Sequence, residues 1–93
     1  MEVRWTDEAA ENLRQIVLYI AQSSPGSARR VARIIYRQVN ELIAMPHRGR
    51  LGSEPGTREL VLTPLRYIVT YEVIGDGVFI LRIRHAAQDW PRR

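Results

Sequence analysis

Apolar and polar residues change rhythm repeatedly along this chain, and each change predicts an element. "MEVRW" alternates, which predicts a short first strand with Val3 and Trp5 facing one way. Thr6 then stands where an N-cap belongs, and Asp7 and Glu8 follow it with the charge that suits a helix start. Ala9, Leu13, Ile16, Val17 and Ile20 recur at three- and four-residue steps, so an amphipathic helix runs to about Gln22. "SSPGS" interrupts it, with Pro25 placed for the first turn of a second helix. Ala28, Val31, Ala32, Ile35, Val39, Leu42 and Ile43 form the apolar stripe of that helix, and Met45-Pro46 ends it.

"HRGRLGSEPG" has the composition of an exposed loop. Beyond it the period shortens to two, and "TRELVL", "RYIVTYEVI" and "VFILRIRH" read as strands. Gly75-Asp76-Gly77 joins the last two as a hairpin. Tyr67, Val69, Tyr71 and Val73 share one face of the central strand. In the last strand Phe79, Leu81 and Ile83 share a face, leaving Arg82 and Arg84 on the other. Pro91 argues against a further strand in the tail. The expected fold is therefore α+β, in the order β-α-α-β-β-β. A two-helix hairpin packs on one face of a small, mainly antiparallel sheet. The other face is left open to a partner or substrate.

Length and composition narrow the function. At 93 residues the chain makes one domain, 1–93, with a thin core that gains from a partner. No apolar run is long enough for a membrane span, and the N-terminus lacks the pattern of a secretory signal, so the cytoplasm is the default compartment. The absence of cysteine excludes disulfides, cysteine-ligated zinc and a thiol nucleophile. Glycine-loop nucleotide motifs, a metal-ligand cluster and a serine elbow are also missing, so no cofactor and no metal are expected.

All 14 cationic residues are arginine, for a net charge of +4. GC-rich codon usage explains the missing lysine as well as a need for guanidinium forks does. Their placement says more. Arg29, Arg30, Arg33, Arg37, Arg48 and Arg50 fall in one stretch with Glu41 as the sole acid, which predicts an anionic partner. Arg29, Arg33 and Arg37 lie four apart on one helix face, either solvated or serving as a stripe for an acidic peptide or phosphate backbone. Arg48 and Arg50, with Arg58 beyond, sit among glycines that allow close approach, or form a plain basic loop. In "RIRHAAQDW", Arg82 and Arg84 point one way and His85 the other or ends the strand. A histidine beside arginines can act as general acid or base on a phosphate without metal. A histidine at a strand end also serves structure, bonded to a turn.

Together these pieces resemble the RelE/ParE superfamily of bacterial type II toxin–antitoxin toxins. "VRWTDEAAENLRQIVLYIA", "MPHRGRLGSEPGTREL", "RYIVTYEV" and "ILRIRHAAQDWP" carry the resemblance over nearly the whole length. It implies a β-α-α-β-β-β toxin neutralised by a cognate antitoxin that wraps it. RelE-like members cut messenger RNA on the ribosome with basic sheet residues and a C-terminal tyrosine or histidine. ParE-like members lack that set and poison DNA gyrase. Here Ile68 stands where the nucleases carry an arginine, with Arg66 two positions earlier, while Arg84 matches an arginine that supports the cleaved phosphate. Ala86 and Ala87 fill the stretch of the catalytic tyrosine or histidine. The resemblance thus leans to ParE and to a non-enzyme. Arg29, Arg33, Arg37, Arg48, Arg50, Arg82, Arg84 and Trp90 are the expected partner-binding residues. A ribosome-dependent nuclease using Arg58, Arg66, Arg84 and His85 is the alternative, and an inactive antitoxin-binding relic is the third.

Overall fold

The computed structural model describes residues 1–89. Strand β1 (Glu2–Trp5) leads into helices α1 (Asp7–Ala21) and α2 (Pro25–Asn40), the second continued by a 3-10 turn, Glu41–Ile43. Strands β2 (Arg50–Leu51), β3 (Arg58–Leu62), β4 (Tyr67–Ile74) and β5 (Gly77–His85) follow, with a 3-10 turn over Ala86–Asp89. The five strands lie in the order β1-β5-β4-β3-β2, antiparallel except that β1 runs parallel to β5. A parallel pair needs a long crossover, and the helix hairpin supplies it by carrying the chain over one sheet face to the far edge. This is the expected α+β arrangement with one additional strand.

Local chemistry sets the helix starts. Thr6 is extended, and its hydroxyl accepts from the Ala9 amide at 3.1 Å while donating to the Leu81 carbonyl at 3.0 Å. One side chain thus caps α1 and ties it to β5. Ser24 caps α2 through the Ser27 amide at 3.2 Å, with Pro25 in the first turn.

The core lies between the hairpin and the sheet. Ala9 and Leu13 of α1 and Val31, Ile35 and Val39 of α2 meet Leu60, Leu62, Val69, Tyr71, Val78, Ile80 and Ile83. Burying each large aliphatic side chain contributes roughly 1.5–3 kcal/mol. Val3 and Trp5 pack against this cluster from β1, as the alternation predicts. Ile43, in the 3-10 turn after α2, is exposed rather than part of the stripe, whereas Gln38 of α2 is buried and donates to the Thr63 carbonyl at 2.6 Å.

The last strand departs from simple alternation. Thr70 pairs with Arg82 but Tyr71 pairs with Ile80, so Leu81 is an extra residue in a β-bulge. Val78 and Ile80 therefore face the core on one side of the bulge and Ile83 on the other. Phe79, Leu81 and Ile83 do not share a face, because the inserted residue inverts the period of two. Arg82 and Arg84 still lie opposite Ile83, on the uncovered face.

The stretch read as a loop contains β2, paired through Arg50 to Glu59 and Leu51 to Arg58. Long-range bonds hold it. The buried Tyr71 hydroxyl donates to the Pro46 carbonyl and accepts from the Gly49 amide, each at 2.8 Å. A Cβ at Gly49 would lie 2.7 Å from that hydroxyl, so only glycine fits there. In the β4–β5 hairpin, Gly75 takes φ 59°, the positive value a two-residue turn of this kind demands.

Tyr71→Phe keeps the ring but strands a buried amide and a carbonyl. It should lower unfolding free energy by about 1–3 kcal/mol in urea denaturation, with the slope unchanged.

Candidate functional site

Two surfaces carry unusual chemistry. On the open sheet face, Glu59 sits between guanidiniums. Its Oε1 accepts from Arg50 Nε at 3.0 Å and Nη2 at 2.9 Å, and its Oε2 accepts from Arg84 Nη2 at 3.2 Å. The strand register explains the meeting: Arg50 faces Glu59 across β2–β3, Glu59 faces Thr70 across β3–β4, and Thr70 faces Arg82 across β4–β5. Arg84 Nη1 also donates to the Thr70 hydroxyl at 2.9 Å. Arg82 pairs with Glu54 at 3.1 Å and more distantly with Glu8 at 3.7 Å. Ser53, Glu54, Thr57, Glu59, Thr70, Arg82 and Arg84 line a cleft of about 460 Å³ on this face.

The second surface is an apolar groove of about 400 Å³ on the hairpin. Leu13 and Val17 of α1 face Ala32 and Tyr36 of α2 across it, with Trp5 at one end. The Trp5 and Tyr36 rings meet at 5.4 Å, tilted by 54°. Leu18 and Tyr36 remain 51% and 48% exposed, a large apolar display for so small a chain. Arg14 lines the groove, and Arg33 and Arg29 lie three and seven residues before Tyr36, on its side of the helix. Sequence periodicity missed the groove. Its signal was Leu18 and Tyr36 standing outside the core stripes.

The other expected residues are dispersed. Arg29, Arg33 and Arg37 are exposed, without a carboxylate partner among the described residues. Arg48 pairs with Glu41 at 2.6 Å. Arg58 donates to the carbonyls of Gly49 at 2.8 Å and His47 at 3.3 Å, fastening the loop before β2. It faces Tyr71 across β3–β4 and so lies on the helix side of the sheet, away from Arg84. Arg66 is exposed in the turn before β4 rather than in the strand. His85 faces Tyr67, their rings edge to face at 5.2 Å, and its Nδ1 accepts from the Ala87 amide at 3.1 Å. Arg84 and His85 both border a cleft of about 350 Å³ beside α1, but Arg58 and Arg66 are not part of it, so the four do not gather at one point. Trp90 lies outside the described residues.

Burial, and secondarily Tyr19, pushes the Tyr67 hydroxyl above its ordinary value, which keeps it neutral as a donor. Hydrogen bonds from Arg14 and Gln15 hold the exposed Glu11 down to about 2. Its small contribution to stability is thus present above the ordinary carboxylate range and lost only as pH falls through that value. Among the described residues no three His, Cys, Asp or Glu side chains come together as a metal site.

Comparison with known proteins then places the chain. The family described as ParE toxin of type II toxin-antitoxin system, parDE, matches residues 3–90. The chain belongs to the ParE toxin family. Y4kP of Sinorhizobium fredii is 41% identical to this ParE-family chain over 90 residues, spanning 97% of the chain and 93% of that protein. Toxin RelE2 of Caulobacter vibrioides is also 41% identical, over 94% of the chain and 97% of its own length. Among solved structures, the chromosomal ParDE system from P. aeruginosa superposes with a TM-score of 0.81 at 32% identity, covering 91% of this chain and 95% of that one. The intact E. coli RelBE complex matches at 0.63 and 17% identity over 90% and 94%, a likeness of fold. This ParE-family chain is a type II toxin–antitoxin toxin by family, and no helix among its described residues is long and apolar enough to cross a membrane.

Arg84→Ala would leave the mostly buried Glu59 carboxylate with Arg50 as its remaining arginine partner. Thermal or urea unfolding should register a loss of about 1–3 kcal/mol, short of the cost for a fully buried pair because solvent reaches the cleft. In a double-mutant cycle with Glu59→Gln, the two changes should couple by roughly 1 kcal/mol.

Proposed function

We propose that this toxin arrests growth by binding DNA gyrase, without cleaving RNA, and that a cognate antitoxin neutralises it in the cytoplasm. The observation that carries this reading is the division of basic and histidine side chains between the two sheet faces. A metal-free nuclease needs its proton-transfer group and its phosphate-holding arginines around one scissile bond. Here Arg84 is tied to Glu59 and Thr70 on the open face and meets His85 only at the cleft beside α1, while Arg58 lies on the other face and Arg66 in a turn. The arginines of the open face are tied to Glu59 and Glu54. A protein that acts as a wedge or clamp on a larger enzyme requires no such convergence. The 41% identity to a relative named toxin RelE2, with Arg84 on the sheet, favours a ribosome-dependent messenger-RNA endonuclease as the second reading.

The antitoxin is the better-defined partner. Its neutralising segment is an amphipathic helix whose apolar side fills the groove between Trp5, Val17, Leu18 and Tyr36. Acidic residues on its flank meet Arg29, Arg33 and Arg37. Arg50, Arg82 and Arg84 contribute to partner contacts on the sheet side, and Arg48 and Trp90 contribute to them as well.

Purified gyrase, titrated with antitoxin-free chain, should lose supercoiling activity and accumulate cleaved DNA. A folded chain that is toxic in cells yet leaves gyrase untouched overturns the gyrase assignment and moves it to the ribosome. Harmless expression of the folded wild-type chain would instead mark an inactive relic. For the antitoxin, Leu18→Glu should weaken binding by about 2–4 kcal/mol in calorimetry, as expected for a central contact. Added salt should also weaken the complex, through the arginine row.

A further inference from the structure

From residue 12 to residue 40 the chain carries no aspartate and no glutamate, while arginine recurs at Arg14, Arg29, Arg30, Arg33 and Arg37. Arg14 is taken by Glu11 at 2.8 Å. The four on α2 are exposed, and none of them pairs with a carboxylate among the described residues. Arg29, Arg33 and Arg37 follow one another at four-residue steps, and Arg30 stands three before Arg33. Like charges at those spacings are neighbours on a helix surface and repel each other. Nothing on α2 relieves them, because the helix has no acid along its length. Its opposite side is anchored in the core through Val31, Ile35 and Val39, so the guanidiniums are carried on a fixed rod.

We propose that this face of α2 binds the phosphate backbone of duplex DNA. An antitoxin helix lying in the groove accounts for only part of the row. Tyr36 borders the groove, and at 3.6 residues per turn Arg30 stands about 120° around α2 from it, beyond the reach of a helix seated there. From Arg29 to Arg37 the row spans about 12 Å, over which a duplex presents roughly seven phosphate charges. The single aromatic residue of α2, Tyr36, is turned to Trp5 with ring centroids 5.4 Å apart, which leaves no ring among Arg30, Arg33 and Arg37. Single strands are held by stacking their bases on such rings, so the face suits a duplex backbone. At the start of the helix a Cβ on Gly26 would meet nothing within 4 Å, and Ser23 and Ser27 beside it are small and exposed, which leaves the approach clear. The inference concerns the antitoxin-free chain and stands whichever cellular target the toxin takes.

The test is fluorescence anisotropy of a labelled DNA duplex of arbitrary sequence, titrated with the full, antitoxin-free chain at a series of salt concentrations. The wild type should bind with a dissociation constant on the order of 1–100 μM at low salt, and log affinity should fall against log salt with a slope of about −3 to −4. The double variant Arg30→Gln, Arg37→Gln should lose about two from the size of that slope and bind at least about tenfold more weakly. Arg4→Gln combined with Arg66→Gln removes the same charge from exposed positions elsewhere and should keep the wild-type slope. No binding by the folded wild type overturns the proposal, and so does a slope that the α2 variant leaves unchanged. An equal loss from the Arg4 and Arg66 variant overturns it too, since net charge alone would then explain the binding. Tighter binding of a single-stranded RNA of equal length, or of a polyglutamate of equal charge, overturns it in favour of that partner. Both α2 substitutions are exposed and glutamine is a good helix former, so the fold should survive, with circular dichroism as the check. If the double variant does not fold, Arg30→Gln alone should lose about one from the slope, and an unchanged slope carries the same contradiction.

Discussion

One inserted residue organises the sheet. Without the bulge at Leu81, strict alternation through β5 would put Ile80 and Ile83 on opposite faces. With it, Val78 and Ile80 reach the core beside β1, and Ile83 reaches it beside α1. The backbone around the bulge is held from outside the sheet: the Thr6 hydroxyl donates to the Leu81 carbonyl and Asn12 Oδ1 accepts from the Ile83 amide at 2.9 Å. β1 pairs with β5 only as far as Ile80, so these α1 contacts take over backbone groups that a neighbouring strand would otherwise satisfy. The same shift sets Arg82 and Arg84 side by side on the uncovered face. Core continuity and the basic surface thus follow from a single irregularity.

That surface is restrained rather than freely cationic. A sheet covered on one side exposes its second face to water, and strong unpaired charge there would repel itself and recruit anions indiscriminately. Glu59, Glu54 and Glu8 neutralise the arginines locally. The exposed row on α2 has no such partners among the described residues, and it borders the apolar groove. The proposed acidic amphipathic helix of the antitoxin would therefore find both of its requirements at one place, while Glu59, Glu54 and Glu8 hold the arginines of the sheet face.

Much of this was legible in the sequence. Thr6, Pro25 and the Gly75-Asp76 turn punctuate the elements chemically, and the stripes of α1, α2 and β4 assign their buried faces. Three features lay beyond such reading. The bulge depends on cross-strand pairing, which local alternation does not encode. Strand β2 has two residues, too few for a period, and forms because Tyr71 and Arg58 reach it from distant positions. The Glu59 clamp joins residues of β2, β3 and β5 that acquire proximity only through strand order. Arg48, Arg50 and Arg58 looked available to a partner because their carboxylate and carbonyl acceptors are visible only in three dimensions.

Toxicity under the proposed function resides in binding and not in a proton-transferring histidine. The most direct test is growth arrest on induced expression without antitoxin, comparing the wild type with an Arg66→Gln, His85→Gln double variant. The account predicts undiminished arrest, since neither side chain reaches the open-face cleft or the groove. Loss of arrest by a double variant that still folds and still binds antitoxin would contradict it and assign those residues to catalysis.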